Sequence, residues 1–320
     1  MKASLQRLWV SFLNSDGFRR FAKRGSGSFL FKSSAYRSFL MARKYITSYY
    51  RSRRYSASFR DVKTYCTFIG HMKSGGSMIG SLLDAHPNVI LADEAGPLRY
   101  VQAGFKREQI FYILLRASQR EFMKGRVTAR RLTAYSWLVP GQWQGRFKSL
   151  RVIGDSTTGA STQLLARTPG LFEKLCDVME PVDLKFIHVI RNPYDPISVM
   201  MVRGKRSFED ACEHYFRSCE MLSGLHKRLD TSNILPVKYE DFVNHPEKKL
   251  AEICAFLGLS AMPEYLAACA SILHESPERS RNMVKWKPEW IDQVKTRMAQ
   301  YDFLAGYSFE EENVNAHILS

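Results

Sequence analysis

The chain has no apolar run of about 18 residues, so it offers no candidate membrane-spanning helix. Its six cysteines, Cys66, Cys176, Cys212, Cys219, Cys254 and Cys269, form no C-x-x-C pair and no cluster with histidine at metal-ligand spacing. That disfavours a zinc site or a disulfide scaffold, and no metal is expected; a reduced, intracellular chain with buried thiols is the simplest reading. There is no internal repeat and no low-complexity tract. Acid is nearly missing from residues 1–60, where Asp16 stands alone against fourteen Lys/Arg, so +13 of the net +16 lies there. Thirteen aromatics, Trp9, Phe12, Phe18, Phe21 and Tyr49 among them, interleave with those charges. Three readings stay open for this extension: a helical segment packed on the body with a solvated basic face, a contact with an anionic membrane surface, or a targeting segment. No nucleic-acid motif accompanies the charge, and no specific nucleic-acid partner is expected.

What is present suits one enzyme-sized domain over residues 61–320, preceded by the extension over 1–60. A chain of 320 residues that is 45% hydrophobic can bury a sizeable core. Strand-like runs at 64–70, 150–154, 184–190 and 234–239 alternate with helical stretches, the clearest at 106–119, 207–229, 246–257 and 288–300. That alternation predicts an α/β fold, a central parallel sheet with helices on both faces. Ser207 and Asp210 have capping-box-like spacing at the start of the second helix, and Pro246 and Gly258 bracket the third, with Ile253, Phe256 and Leu257 as its buried face.

The most informative stretch is TYCTFIGHMKSGGSMIGSLLDAHP, Thr64 to Pro87. An apolar strand turns through Lys73, Ser74, Gly75, Gly76 and Ser77 into a helix beginning near Met78. Backbone N–H groups and the positive helix end then point at one spot, an anion site to which Lys73 and the hydroxyls add charge and donors. A Walker A loop needs its lysine after the glycines and directly before Ser or Thr; here Lys73 precedes both glycines and no GK[ST] lies nearby. A second anion site is read from DLKFIHVIRNPYDPISVMMV: a strand ending at Arg191, then a helix bearing Ser198.

Together these resemble the sulfotransferases that use 3′-phosphoadenosine 5′-phosphosulfate (PAPS). [KR]-S-G-[TS]-[TS] is their phosphosulfate loop, many members continue into L-L-D-A-H-P, and Arg191 with Ser198 resembles their 3′-phosphate motif. Two departures are visible: Gly76 stands where a hydroxyl residue is usual, and Ser198 lies one residue before the usual place, which Val199 holds. LPVKYEDFVNHPEKKLAEICAFLGL resembles the family's Y-E-D/Q segment, with Tyr239, and ERSRNMVKW, with Arg281, its basic segment over the nucleotide. The resemblance spans roughly residues 64 to 308. It implies a P-loop-like sulfotransferase fold, PAPS as co-substrate, and a nucleotide cradle of Lys73, Ser74, Gly75, Gly76, Ser77, Met78, Arg191, Ser198, Tyr239 and Arg281.

The implied chemistry is sulfuryl transfer to a hydroxyl or amine, which needs positive charge at the leaving oxygen and a base for the acceptor's proton. Lys73 is the candidate for the first. Glu94, in HPNVILADEAG, stands where tyrosylprotein sulfotransferases of the family place their catalytic glutamate, with Asp93 beside it as the alternative. Many relatives have a lysine after the strand matching Leu150 to Ile153, where this chain has Ser156. Residues 95–148, with Arg99, Tyr100, Phe105, Trp137 and Trp143, bounded by Gly141 and Gly145, are expected to read a small-molecule acceptor. Arg126, Arg130 and Arg131 are the candidates if the acceptor were an anionic glycan. The expected location is cytoplasmic, soluble or peripheral at a membrane. The alternatives are a small-molecule kinase on a related fold and a non-catalytic nucleotide-binding relative.

Overall fold

The computed structural model describes residues 34–127, 136–273 and 277–310. Much of the basic extension, together with Arg130 and Arg131, therefore lies outside the described residues. The chain divides into two compact units, 1–53 and 54–320. Within the first, a helix covers Ser34–Ser52. It carries Arg37, Arg43, Lys44 and Arg51 and no acid, and leaves Phe39, Leu40, Ile46 and Tyr50 exposed.

The second unit is built on five strands: β1 (Thr64–Gly70), β2 (Val89–Ala92), β3 (Val152–Asp155), β4 (Asp183–Ile190) and β5 (Ile234–Lys238). Their order is β2-β3-β1-β4-β5, and every neighbouring pair is parallel. All seven residues of β1 are buried, as a central parallel strand covered on both faces requires. β2, only four residues long, is not among the strand-like runs read from the sequence. On the outer strand β5, Pro236 is exposed, and at such an edge its missing N–H disturbs the ladder least.

Side chains alternate across the sheet. Cys66 and Phe68 of β1, Val152 of β3, and Ile187 and Val189 of β4 join one core with Ile79, Leu82 and Leu83 of the helix Gly76–Leu83 and with Phe242, Leu250 and Ile253. A second core gathers Ile190 of β4 with Tyr194, Ile197, Phe208, Tyr215, Phe216, Val294 and Met298 from the helices Tyr194–Val202, Phe208–Arg228 and Pro288–Met298. The expected caps are present: Ser207 Oγ accepts from the Asp210 amide at 3.1 Å, Pro246 opens the helix Pro246–Phe256, and Gly258 has a φ of +72°. Ile253 and Leu257 are buried as expected, whereas Phe256 is half-buried, with the Lys185 ammonium 5.1 Å from its ring centre.

Two polar groups lie deep in this core. Asp84, fully buried after the helix Gly76–Leu83, accepts from the Leu91 amide at 2.6 Å, the Gly145 amide at 3.0 Å, the Ser118 hydroxyl and the Arg126 guanidinium. Arg126 is thereby removed from the acceptor surface where the sequence had placed it. The other group is a histidine. His71, the first residue after β1, stacks on Tyr215 with centroids 3.9 Å apart and lies 3.5 Å from Cys219 Sγ. Burial, helped by the neighbouring His214, pushes its pKa down to about 3, so the ring is neutral when folded.

Removing the Asp84 carboxylate would strand the Arg126 charge in the core, so Asp84→Ala is expected to cost about 3–5 kcal/mol in urea unfolding. The His71 sign is equally definite. Between pH 6.5 and 3 the unfolded chain binds a proton at this position that the folded chain refuses, so stability falls as pH falls. His71→Phe should flatten the plot of stability against pH in that window by about 1.4 kcal/mol per pH unit relative to wild type. Identical slopes would remove His71 from the acid response.

Candidate nucleotide and acceptor site

Because every strand runs the same way, the chain leaves the sheet at one edge in five places: His71, Asp93, Ser156, Arg191 and Tyr239. β1 is flanked by β3 and β4, and the connections depart from it in opposite directions. This is the switch point at which open α/β sheets bind ligands. Lys73, Glu94, Ser156, Arg191 and Tyr239 fall at or just after these exits, while Ser198, Arg281 and the acceptor candidates do not.

The loop after β1 is tightly made. Ser74 Oγ donates to the His71 carbonyl at 2.8 Å, and so does Thr158 Oγ1, also at 2.8 Å. The Ser74 hydroxyl, expected as an anion donor, is thus turned into the loop. Lys73 has a φ of +68° and Gly75 of +101°. A Cβ at Gly75 would also sit 2.4 Å from the Tyr239 ring, so this position needs glycine twice over. Met78 and Ile79 are the first amides donating inside the helix, both to the Gly75 carbonyl. The N–H groups of Gly76 and Ser77 precede them and are available at the helix start. Met78 itself is buried in the core and can contribute only backbone. The Lys73 ammonium is exposed and has no partner among the described residues.

Gly76 has a steric cause. A Cβ there would lie 2.6 Å from the Thr158 methyl, so the chain after β3 fills the space a hydroxyl residue would take. Ser156 is explained in the same way. It is 3% exposed, its Cβ would be 2.4 Å from a Cβ at Gly80, and its hydroxyl donates to Asp93 Oδ1 at 3.0 Å. A long cationic side chain does not fit this packing. Ser156 is therefore a partner of Asp93 and not a donor facing the loop.

Arg191 and the loop after β1 meet directly. Arg191 Nη1 donates to the Lys73 carbonyl at 3.1 Å, Nη2 donates to the Glu278 carbonyl, and the guanidinium lies 4.6 Å over the Tyr239 ring. Asp195, one helical turn on, faces both Arg191 (3.9 Å) and Arg281 (3.8 Å) and accepts from the Arg281 amide at 2.8 Å. Burial raises the Asp195 carboxyl and the two arginines pull it back down. Ser198 is completely buried, its oxygen accepting from Trp286 Nε1 at 3.1 Å. Sequence reasoning missed Asp195 and Trp286; the Y-D-P triplet offers no spacing that separates an ion-pair aspartate from a turn residue.

Glu94 follows β2 in a left-handed conformation, φ +50°, that a non-glycine residue adopts rarely. It is exposed and has no hydrogen-bond or ion-pair partner among the described residues. Farther along, the expected acceptor segment is only partly available. Tyr100 and Phe105 are 2% and 1% exposed and pack on each other 5.1 Å apart, so both are core residues rather than pocket lining. Arg99 and Gly141 remain at the surface and Trp143 half-exposed, with Arg146 over its ring, while Trp137 packs against the core. No group of three or more potential metal ligands and no helix able to cross a membrane occurs among the described residues.

The model of the sulfotransferase family matches residues 67–264, from β1 through the phosphosulfate-like loop, Glu94, Arg191 and Tyr239. None of the curated proteins matches the chain. Solved structures similar to it include a sulfotransferase domain from the Synechococcus PCC 7002 olefin synthase (18% identity, 74% of this chain and 88% of that one, TM-score 0.43). A sulfotransferase from Mycobacterium avium is 10% identical over 83% of each chain, TM-score 0.48. Mouse sulfotransferase SULT7A1, complexed with PAP, is 13% identical over 76% of this chain and 87% of that one, TM-score 0.41. The family model spans more than half of the chain, and the chain belongs to the sulfotransferase family.

Proposed function

We propose that this protein moves a sulfuryl group from PAPS to a hydroxyl or amine of a small-molecule acceptor and releases 3′-phosphoadenosine 5′-phosphate. The observation that carries this reading is the 3.1 Å hydrogen bond from Arg191 to the Lys73 carbonyl. It supports the reading by joining the two segments taken as anion sites, at the exits of the adjacent strands β1 and β4, as a nucleotide with phosphates on both its 3′ and 5′ positions would need. The residues suit such a molecule. An unpartnered Lys73 and the free amides of Gly76 and Ser77 face the 5′ end. Arg191 and Arg281, sharing one carboxylate in Asp195, keep one net positive charge for the 3′-phosphate. Tyr239 forms the floor beneath Arg191 and against Gly75.

In the reaction the acceptor oxygen or nitrogen forms a bond to sulfur while the bridging oxygen leaves with the electron pair on the 5′-phosphate. Lys73 faces that growing negative charge. Glu94, unpartnered and solvent-reaching, takes the acceptor's proton. The transferase body is residues 61–320, with 1–60 as its basic extension. Burial of Arg126 against Asp84 favours a small acceptor over an anionic glycan, since it withdraws one of the three arginines proposed for the glycan.

The test is transfer of label from PAPS to a panel of small hydroxyl and amine acceptors, followed in three variants. Arg191→Ala should weaken nucleotide binding by about 1.5–3 kcal/mol through loss of a charge-assisted contact. Glu94→Gln should leave nucleotide affinity intact and lower turnover by roughly a hundredfold. Near-normal turnover would transfer the base role to Asp93. Lys73→Ala should damage binding and turnover together. Nucleotide binding with no labelled product from any acceptor would favour a non-catalytic relative, the reading that Ser156 in place of lysine supports.

A further inference from the structure

The turn that carries Glu94 is held almost entirely from one place. Asp155, the last residue of β3, is completely buried. Its Oδ2 accepts from the Ala95 amide at 2.8 Å and its Oδ1 from the Thr157 amide at 3.0 Å. The next residue continues the attachment: the Ser156 amide donates to the Ala92 carbonyl at 2.9 Å and its hydroxyl to Asp93. Residues 92, 93 and 95 are thus tied to the end of β3, and Glu94 between them is left free in its unusual backbone conformation.

We propose that Asp155 is a positioning residue for sulfuryl transfer, its carboxylate clamping the Asp93–Gly96 turn so that Glu94 is presented at the sheet edge. This rests on the reading of Glu94 as the base.

The choice of a carboxylate follows from the hydrogen-bond count. Two amides from different chain segments need two acceptors on one short side chain, which an ionised aspartate supplies and an asparagine does not. The arrangement is costly, because Asp155 has no ion-pair partner among the described residues. The titratable groups facing it are Tyr65 and Cys66 from β1 and Asp93 from the turn, none of them cationic. Burial, with a smaller push from Asp93, lifts its carboxyl to about 6, against the two amides that pull it down. The sign is explicit: its folded pKa exceeds its unfolded one, so the ionised form subtracts stability above pH 6 and the fold regains it as pH falls. The clamp behaves oppositely, since protonation turns one acceptor oxygen into a hydroxyl and releases an amide.

Stability and turnover should therefore separate in Asp155→Asn. The variant should keep the wild-type melting temperature or exceed it at pH 7.5, and keep its nucleotide affinity. Its Ala95 amide should exchange about tenfold faster or more, and kcat should fall about tenfold or more with the KM for PAPS unchanged. The wild-type kcat should show an acid limb near pH 6 that the variant lacks, while Ser156→Ala, which leaves Asp155 in place, keeps that limb. Unchanged Ala95 exchange with full kcat would overturn the proposal, and so would a lowered melting temperature with nucleotide affinity lost in parallel. If the variant does not fold, Ala95 protection in the wild-type chain decides: it should drop as pH falls through about 6, and constant protection is contrary to the clamp. That readout needs no turnover, so it separates failure of the clamp from failure of the Glu94 assignment.

Discussion

Arg191 is the contact on which the site depends. One guanidinium reaches the Lys73 carbonyl at the exit of β1, the Glu278 carbonyl in the C-terminal segment and the Tyr239 ring beyond β5. A planar group with five donors can join three chain segments in this way; a lysine could not. The bond to Lys73 also fixes the backbone of a residue in the left-handed region, so the loop's shape and the arginine's position are one constraint. Asp195 completes the arrangement by facing Arg191 and Arg281 together, which keeps two like charges close in a buried setting.

The sheet turns that local contact into a site. With all five strands parallel, every loop at the carboxyl edge is brought to one side of the sheet, although their first residues run from His71 to Tyr239 in the chain. The same geometry divides labour along that edge. The exits of β1 and β4 carry the Lys73 ammonium, the Arg191 guanidinium and the amides of Gly76 and Ser77, and the exit of β5 sets the Tyr239 ring against them. At the ends of β2 and β3 stand carboxylates: Asp93, held by Ser156, Asp155, held by two backbone amides, and the unpartnered Glu94. Cationic side chains at the exits of β1 and β4 and carboxylates at the ends of β2 and β3 are the arrangement that the proposed sulfuryl transfer would use.

What the sequence made legible was local. β1 reads as an apolar run and β4 as one interrupted by Lys185 and His188, the lysine-before-glycine order separates this loop from a Walker A loop, and Ser207, Pro246 and Gly258 mark helix ends that the structure contains. What stayed hidden depends on partners far apart. β2 is a strand because β3 pairs with it, and nothing in four residues says so. Arg126 reads as a surface charge until Asp84, forty-two positions away, is seen to bind it. Tyr100 and Phe105 read as pocket aromatics because composition does not distinguish a lined cavity from a core. Ser156 and Gly76 read as departures from a family pattern; in space Ser156 packs against Gly80, and Gly76 leaves room for Thr158.

The central claim is that the site is built for a nucleotide bearing phosphates at both its 5′ and 3′ positions. Calorimetric titration of the full chain with 3′-phosphoadenosine 5′-phosphate, AMP and ATP–magnesium tests it most directly. The bisphosphate should bind tighter than AMP by about 1.5–3 kcal/mol, the worth of the Arg191 contact, and Arg191→Ala should abolish most of that difference. ATP–magnesium binding tighter than the bisphosphate, or equal affinity for AMP and the bisphosphate, would contradict it.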